Sequence, residues 1–204
     1  MILQQIERAV TPHGLMIMGH DQARVLIGTD AGWWEVFTAS PEYHDQARDP
    51  VDRWSKRILG ALAIRIGAAA AFPSDGPPYA PFIAWALATG RFWQSPTGMM
   101  IHDTAGLMIS IRGALTLADP LPVPPAAQGP CAACPDRPCV SACPVGALSA
   151  TARYDVPACK AYLDAADGRD CMNGGCQVRR ACPVTQRFAR PKAQSAFHMK
   201  AFVG

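Results

Sequence analysis

All eight cysteines of this 204-residue chain lie between positions 131 and 182, and none occurs in the 130 residues before them. This segregation constrains the fold, because eight thiols gathered in about a quarter of the chain must be ligated, paired or buried. It predicts a small cysteine module that follows a larger domain built without cysteine.

Composition limits the class of protein and its partners. Half of the residues are apolar, which suffices for a buried core, and a net charge of +3 without a long Lys/Arg run gives no reason to expect a nucleic-acid partner. The first ten residues lack the basic region and the apolar run of a signal peptide. The most apolar stretch, residues 60–72, is interrupted by Arg65 and is too short to span a membrane. We therefore expect a cytoplasmic protein without a membrane partner, in which cysteines bind metal rather than form disulfides.

The spacing of apolar residues predicts a mixed α and β domain before the cysteines. Helical spacing appears at residues 2–10 and 81–88, and Asp49 as an N-cap with Pro50 after it predicts the start of a longer helix. Short apolar segments at 14–19, 24–28 and 68–72 predict strands. Two more, at 98–101 and 106–117, predict a β-hairpin that turns at 102–106. The fold class is therefore α+β with a largely antiparallel sheet.

A proline-rich segment separates this domain from the cysteines. Residues 118–130 contain five prolines in 13 positions, which favours a stiff, extended connector. The predicted organisation is a first domain at 1–118, a linker at 119–130, and a cysteine module with a C-terminal tail at 131–204.

The cysteine spacing is typical of iron–sulfur proteins. It reads C-x2-C-x4-C-x3-C-P, then the lone Cys159, then C-x4-C-x5-C-P. Bacterial two-cluster ferredoxins use C-x2-C-x2-C-x3-C-P, and the fourth cysteine ligates the other cluster. The two-residue insertions carry proline or glycine, so these loops can bulge without moving the thiolates on either side of them.

Eight cysteines can form two sets of four with none left over. The first set is Cys131, Cys134, Cys139 and Cys182, and the second set is Cys143, Cys159, Cys171 and Cys176. Each set would hold one [4Fe–4S] cluster. The alternatives are two zinc sites and a disulfide framework. Zinc sites usually pair C-x2-C knuckles and do not use the Cys-Pro ends found here.

The module resembles the ferredoxin part of epoxyqueuosine reductase, a cobalamin-dependent enzyme related to reductive dehalogenases. The similarity lies in residues 131–143, the lone Cys159 followed by 161–163, Gly175-Cys176 and Cys182-Pro183. The division of the cysteines follows that family's pattern. The resemblance implies a two-[4Fe–4S] ferredoxin-like module in an oxidoreductase related to cobalamin-dependent iron–sulfur reductases. The candidate for the family's catalytic aspartate is Asp75.

The first domain resembles a different family, the cobalamin-processing protein of cblC-type methylmalonic aciduria. The similar residues are 49–52 opening a helix, 98–102, Gly106, 111–113 and 120–125. The resemblance implies a nitroreductase-like sheet-and-helix fold that binds a corrinoid. His102 is then a candidate to face the corrinoid or donate a proton, and Arg112 to hold its edge. The ordinary alternatives are a structural histidine and an internally paired arginine. The five tryptophans could line a planar-cofactor pocket, although each alone is typical of a core.

Together these features predict a protein that passes electrons through two [4Fe–4S] clusters to a corrinoid (cobalamin). The reaction would be corrinoid processing or reductive cleavage of a small-molecule substrate, and the electron donor a protein such as a flavodoxin or a ferredoxin. Two alternatives stay open. One is an FMN-dependent reductase with the same clusters, and the other is a ferredoxin-type carrier whose first domain only docks a partner.

Overall fold

The structure is a computed structural model that describes residues 2–122, 125 and 127–204. Its strands are β1 (Leu15–His20), β2 (Arg24–Thr29), β3 (Ala69–Ala71), β4 (Phe92–Gln94), β5 (Met100–His102) and β6 (Ile111–Thr116). Its α-helices are α1 (Ile2–Val10), α2 (Trp33–Thr38), α3 (Pro41–His44), α4 (Pro50–Ile66), α5 (Phe82–Ala88), α6 (Val156–Asp164), α7 (Arg169–Gly174), α8 (Gln177–Ala181), α9 (Pro183–Phe188) and α10 (Lys192–Val203). The protein therefore mixes helix and sheet, as expected.

The chain divides into two compact units. Unit 1 comprises residues 1–92 and 110–127, and unit 2 comprises residues 93–109 and 128–204. Residues 93–109, which the sequence analysis placed in the first domain, thus group with the cysteines. The proline-rich linker expected at 119–130 includes Val123, Pro124 and Ala126, which lie outside the described residues.

Unit 1 is built on a four-stranded antiparallel sheet with the order β1-β2-β6-β3. Met16 pairs with Gly28 in the first ladder, Leu26 with Ala114 in the second and Ala70 with Leu115 in the third. The helix α4 packs against β6 and β3. This confirms the expectation of helices against a largely antiparallel sheet.

Aromatic side chains fill the core of unit 1. Trp33 stacks on Phe37 with ring centroids 4.6 Å apart, and both meet Trp54 edge-on. All three are at most 1% exposed. Trp85 lies beneath the Arg24 guanidinium, 4.7 Å from ring centroid to charge. The contacts of Trp33, Trp54 and Trp85 are therefore packing contacts, in the core or near the surface. This is the ordinary role of tryptophan.

The helix α4 starts where the sequence predicts, but its cap differs. Asp49 is in the left-handed region (φ 54°, ψ 49°), and its side chain makes no capping hydrogen bond. A side-chain cap requires an extended backbone at the N-cap, so this conformation turns the carboxylate away from the first turn. The Asp49 carbonyl instead accepts hydrogen bonds from the Asp52 and Arg53 N–H groups. Asp49 is therefore the N-cap residue with Pro50 at the first helical position, as predicted, but its side chain does not cap the helix.

Unit 2 combines the β4-β5 ribbon with the helices α6 to α10. Its core includes two cysteines, Cys139 and Cys182, beside the following apolar residues: Ile101, Leu107, Leu148, Val178 and Val184. These two cysteines thus belong to the packed interior of unit 2.

The predicted hairpin between 98–101 and 106–117 was also wrong. β5 pairs with β4, whereas β6 joins the sheet of unit 1. His102 and Gly106 exchange backbone hydrogen bonds in a tight turn, but the pairing stops there. The reason is that partners far along the chain satisfy the next backbone groups. Thr185 accepts from the Leu107 N–H, and Arg179 and Arg190 donate to the Leu107 and Met108 carbonyls.

Candidate functional site

The first set of cysteines surrounds one cavity. Cys131, Cys134, Cys139 and Cys182 all line a space of about 410 Å³ in unit 2. Short 3₁₀ turns at Pro130–Ala133 and Pro138–Val140 carry Cys131 and Cys139, and Cys134 directly follows the first turn. A proline opens each turn, where its fixed φ suits the helical start and its missing N–H costs nothing.

Cys182 also lines this cavity, although it lies 43 positions after Cys139 in the sequence. The proline that follows it helps to place it there. Cys182 has an extended backbone (φ −68°, ψ 123°), so it ends α8 and serves as the N-cap residue of α9. Pro183 occupies the first position of α9, and the Cys182 carbonyl accepts the Gln186 N–H at 3.0 Å. The Cys-Pro sequence thus places a thiol at the break between two helices.

The second set surrounds a separate, smaller cavity. Cys143, Cys159, Cys171 and Cys176 line a space of about 20 Å³, together with apolar side chains such as Leu163, Val178 and Met199. Cys159 lies on α6 and Cys171 on α7, while Cys176 is the N-cap residue of α8. Cys143 precedes a turn closed by the Gly146 N–H on its carbonyl, so its Cys-Pro sequence starts no helix.

Burial and mutual proximity disfavour ionisation of the bare thiols. Burial raises the pKa of Cys131 and of Cys139, and neighbouring thiols of the first set raise it further, while Arg137 opposes the rise. Burial also raises the pKa of Cys171, and the Gln177 N–H that bonds its sulfur opposes this. A group that binds these sulfurs as thiolates must therefore bring positive charge, as iron does.

The donor set and the space test which group could bind. Among the residues that the structure describes, no three His, Cys, Asp or Glu side chains are arranged to hold a metal ion. The first set instead surrounds a space far larger than one ion. A zinc site would be much tighter, because its four ligands lie about 2.3 Å from the metal. The four thiols of the first set match the donor set of a multinuclear cluster.

The second set matches such a cluster in donors but not in free space. A cavity of about 20 Å³ holds little more than one water molecule. Binding a cluster there requires the side chains on α6, α7 and α10 to move outward.

His102 lies in unit 2, at the end of β5, and is fully buried. Its Nδ1 accepts the N–H groups of Thr104 at 3.2 Å and of Ala105 at 3.1 Å. The same Nδ1 lies 3.4 Å from Asp103 Oδ1. The observed role of His102 is therefore to hold the turn that follows the strand.

Asp75 lies in unit 1 and is engaged in two interactions. Its Oδ1 pairs with Lys56 Nζ at 2.8 Å, and its Oδ2 accepts the Phe72 N–H at 2.9 Å. The hydrogen bond from Lys56 is the main reason that the pKa of Asp75 is lowered. Asp75 is therefore ionised at neutral pH and does not donate a proton there.

Arg112 also lies in unit 1, on β6. Its Nη1 is 4.0 Å from Asp52 Oδ1, and its buried Nε has no hydrogen-bond partner among the described residues. Burial lowers the pKa of Arg112, and the charge of Asp52 opposes this. The arginine is thus an incompletely paired, partly buried cation. It shares unit 1 with Asp75, whereas His102 and the eight cysteines lie in unit 2.

Sequence reasoning missed the charged residues around the first cavity. Arg137 and Arg187 both line it and are both exposed. Two features of the sequence could have indicated them. Arg137 lies in the insertion between Cys134 and Cys139, and Arg187 lies in the helix after Cys182-Pro183.

Compared with known protein families and with curated proteins, the chain matches none of them. Within the part of the chain that the structure describes, no helix has both the length and the apolar character needed to cross a membrane. The resemblances given under Sequence analysis rest on the residues quoted there and stay hypotheses.

Proposed function

We propose that unit 2 binds two [4Fe–4S] clusters and acts as an electron-transfer module. The observation that carries the proposal is the grouping of the cysteines. The pattern shared with epoxyqueuosine reductase divides them into two sets, and each set lines its own cavity without a member of the other. Two ferredoxin-like sites produce this division when the last cysteine of each sequence motif ligates the cluster of the other motif.

The residues of the chain would supply binding and shielding. Each set provides four sulfurs that lose their protons on binding, and the apolar lining of the second cavity excludes water. Cys139, Cys171 and Cys182 are each at most 8% exposed, so their ligand bonds would be protected from solvent. When bound, the clusters would supply one-electron transfer.

We propose further that the electrons pass to a corrinoid held by the first domain, in an oxidoreductase of the cobalamin-dependent iron–sulfur type. The support is the resemblance of residues 49–52 and 98–113 to the cblC-type family and of the module to epoxyqueuosine reductase. The nitroreductase-like fold belongs to the same proposal. The mixed antiparallel sheet and helices of unit 1 are compatible with it.

Anaerobic purification tests the first part. The expected product is a brown protein with about eight irons and eight sulfides per chain. A colourless protein that holds two zinc ions, or one that contains disulfides and no metal, would refute the cluster proposal.

Titration with cobalamin and with FMN tests the second part. A shift of the cobalamin visible spectrum at stoichiometric ratio supports the corrinoid, while quenching of FMN fluorescence supports the flavin alternative. If neither ligand binds and the clusters still exchange electrons with a protein partner, the chain is a carrier with a docking domain.

A further inference from the structure

The two cavities of unit 2 differ in charge. The first is lined by Arg137, Arg187 and Asp136, so two positive side chains face one negative side chain. Among the described residues that line the second cavity, none is a Lys, Arg, Asp or Glu. The first cavity is also the larger, at about 410 Å³ against about 20 Å³. The first cavity is therefore the one suited to meet a charged partner.

Both arginines are free to interact. Each is exposed, and neither guanidinium forms a hydrogen bond or an ion pair with another described residue. Three other arginines of unit 2 are engaged: Arg180 pairs with Asp170, and Arg179 and Arg190 donate to backbone carbonyls. Arg153 and Arg169 are exposed as well but line neither cavity. An arginine that holds no internal partner does not stabilise the fold through its charge, so this charge is available for a ligand.

The backbone fixes Arg137 at the edge of the cavity. Its φ of 42° lies in the left-handed region, although a residue before proline normally adopts an extended conformation. The conformation is held by the Val140 N–H, which donates to the Arg137 carbonyl at 3.0 Å. A non-glycine residue keeps such a conformation only where the surrounding structure holds it, and functional sites are a common place for it.

We propose that Arg137 and Arg187 form the docking surface for a small acidic electron-donor protein. This inference rests on the proposed function, because it requires a cluster held by the first set. The partner is defined by its chemistry: a flavodoxin-like or ferredoxin-like protein whose exposed redox centre is ringed by carboxylates. In each encounter the donor loses one electron and the cluster gains it, and no bond or proton is transferred. Positive charge around the cavity speeds such encounters through long-range attraction.

The experiment measures the rate at which a reduced acidic flavodoxin reduces the iron-loaded full-length protein in stopped flow. The test variant is the double charge reversal Arg137→Glu with Arg187→Glu. The matched control is Arg169→Glu with Lys192→Glu, which changes the net charge equally at two exposed positions that line neither cavity. At low ionic strength we expect the test variant to be slowed about tenfold or more and the control to stay within about twofold.

Three further measurements make the result specific. Reduction by photoreduced deazariboflavin, which is small and uncharged, should proceed at the same rate in all forms. The difference between wild type and test variant should shrink as salt is raised toward about 1 M. Arg137→Lys with Arg187→Lys should keep most of the wild-type rate.

Equal slowing of the test and control variants, or a test variant as fast as wild type, would overturn the docking surface. Slowing with deazariboflavin as well would show damage to the cluster rather than loss of docking. Iron content and the visible spectrum are measured first on every variant. A wild-type protein without iron refutes the proposed function itself, so the two failures are distinguishable.

Discussion

Thr185 Oγ1 accepts a hydrogen bond from the backbone N–H of Leu107 at 2.8 Å, across 78 positions of the chain. Both groups are buried, and Gly106 lies directly beside them. A Cβ on Gly106 would stand 2.4 Å from the Thr185 nitrogen, and its φ of 58° also favours glycine. The turn after β5 is thus fixed to α9, the helix that begins at Cys182-Pro183. Residues 93–109 and the cysteine module therefore fold as one unit.

Replacing Thr185 with valine should destabilise unit 2. The substitution keeps the side-chain shape but removes the acceptor, and the buried Leu107 N–H loses its partner. An unsatisfied buried donor costs about 1–3 kcal/mol, so the urea midpoint of the full-length protein should fall. The measurement is urea unfolding followed by far-UV circular dichroism.

Thr185→Ser is the control for this prediction, because it retains the hydroxyl and loses only a methyl group. It should lie much closer to wild type than Thr185→Val. If valine is tolerated and serine is not, the methyl packing rather than the hydrogen bond stabilises this contact.

Local sequence patterns were sufficient where a feature depends on neighbouring residues. Apolar spacing located α4. The division of the cysteines follows the pattern of epoxyqueuosine reductase, and its two sets line separate cavities. The hairpin prediction was wrong because the acceptor for the Leu107 N–H is Thr185, and no pattern near residue 107 reports a partner so distant. The predicted helix start at Asp49 was correct, although its left-handed backbone comes without the side-chain hydrogen bond that an aspartate cap usually makes. Whether the cavities hold clusters stays a prediction.

Cys159→Ser should remove one cluster and leave the other. Cys159 lies on α6 and lines only the second cavity. A serine hydroxyl is a much poorer iron ligand than a thiolate, so iron should fall from about eight to about four per chain. The measurement is iron and sulfide content with electron paramagnetic resonance of the reduced protein.

Cys139→Ser is the matched variant for the first cavity, and it should leave the signal that Cys159→Ser removes. Identical residual spectra in the two variants would contradict the division into two sets. Loss of all iron in both would show that the unit folds only around its metal, and far-UV circular dichroism would then report an unfolded unit 2.

Glu42→Gln should make the stability of unit 1 less sensitive to acid. Arg57 Nη2 donates to Glu42 Oε2 at 2.9 Å, and this pairing is the main reason that the pKa of Glu42 is lowered. A carboxylate with a lowered pKa stabilises the fold when the pH is above the ordinary pKa of the unfolded chain. This stabilisation is lost as the pH falls through the lowered pKa of the folded protein. Wild type should therefore exceed the variant by roughly 1 kcal/mol at pH 7, and the difference should vanish in strong acid.

The measurement is urea unfolding of both proteins between pH 7 and pH 3. Glu7→Gln, at an exposed position on α1, is the control and should follow the wild-type profile. A Glu42→Gln difference that stays constant with pH would mean that the substitution acts through packing instead of charge.

Ala189→Gly should stabilise unit 2. Ala189 is the exposed residue that ends α9, and it adopts the left-handed conformation (φ 54°, ψ 41°). A Cβ in this conformation costs about 1 kcal/mol, whereas glycine adopts it freely, as it does at many helix ends. The greater freedom of glycine in the unfolded chain offsets part of the gain, so we expect an increase of about 0.5 kcal/mol in unfolding free energy. Ala161→Gly, at an exposed position within α6, should have the opposite sign at about 1 kcal/mol. Urea midpoints that fall in both variants would show that the backbone at Ala189 is not strained.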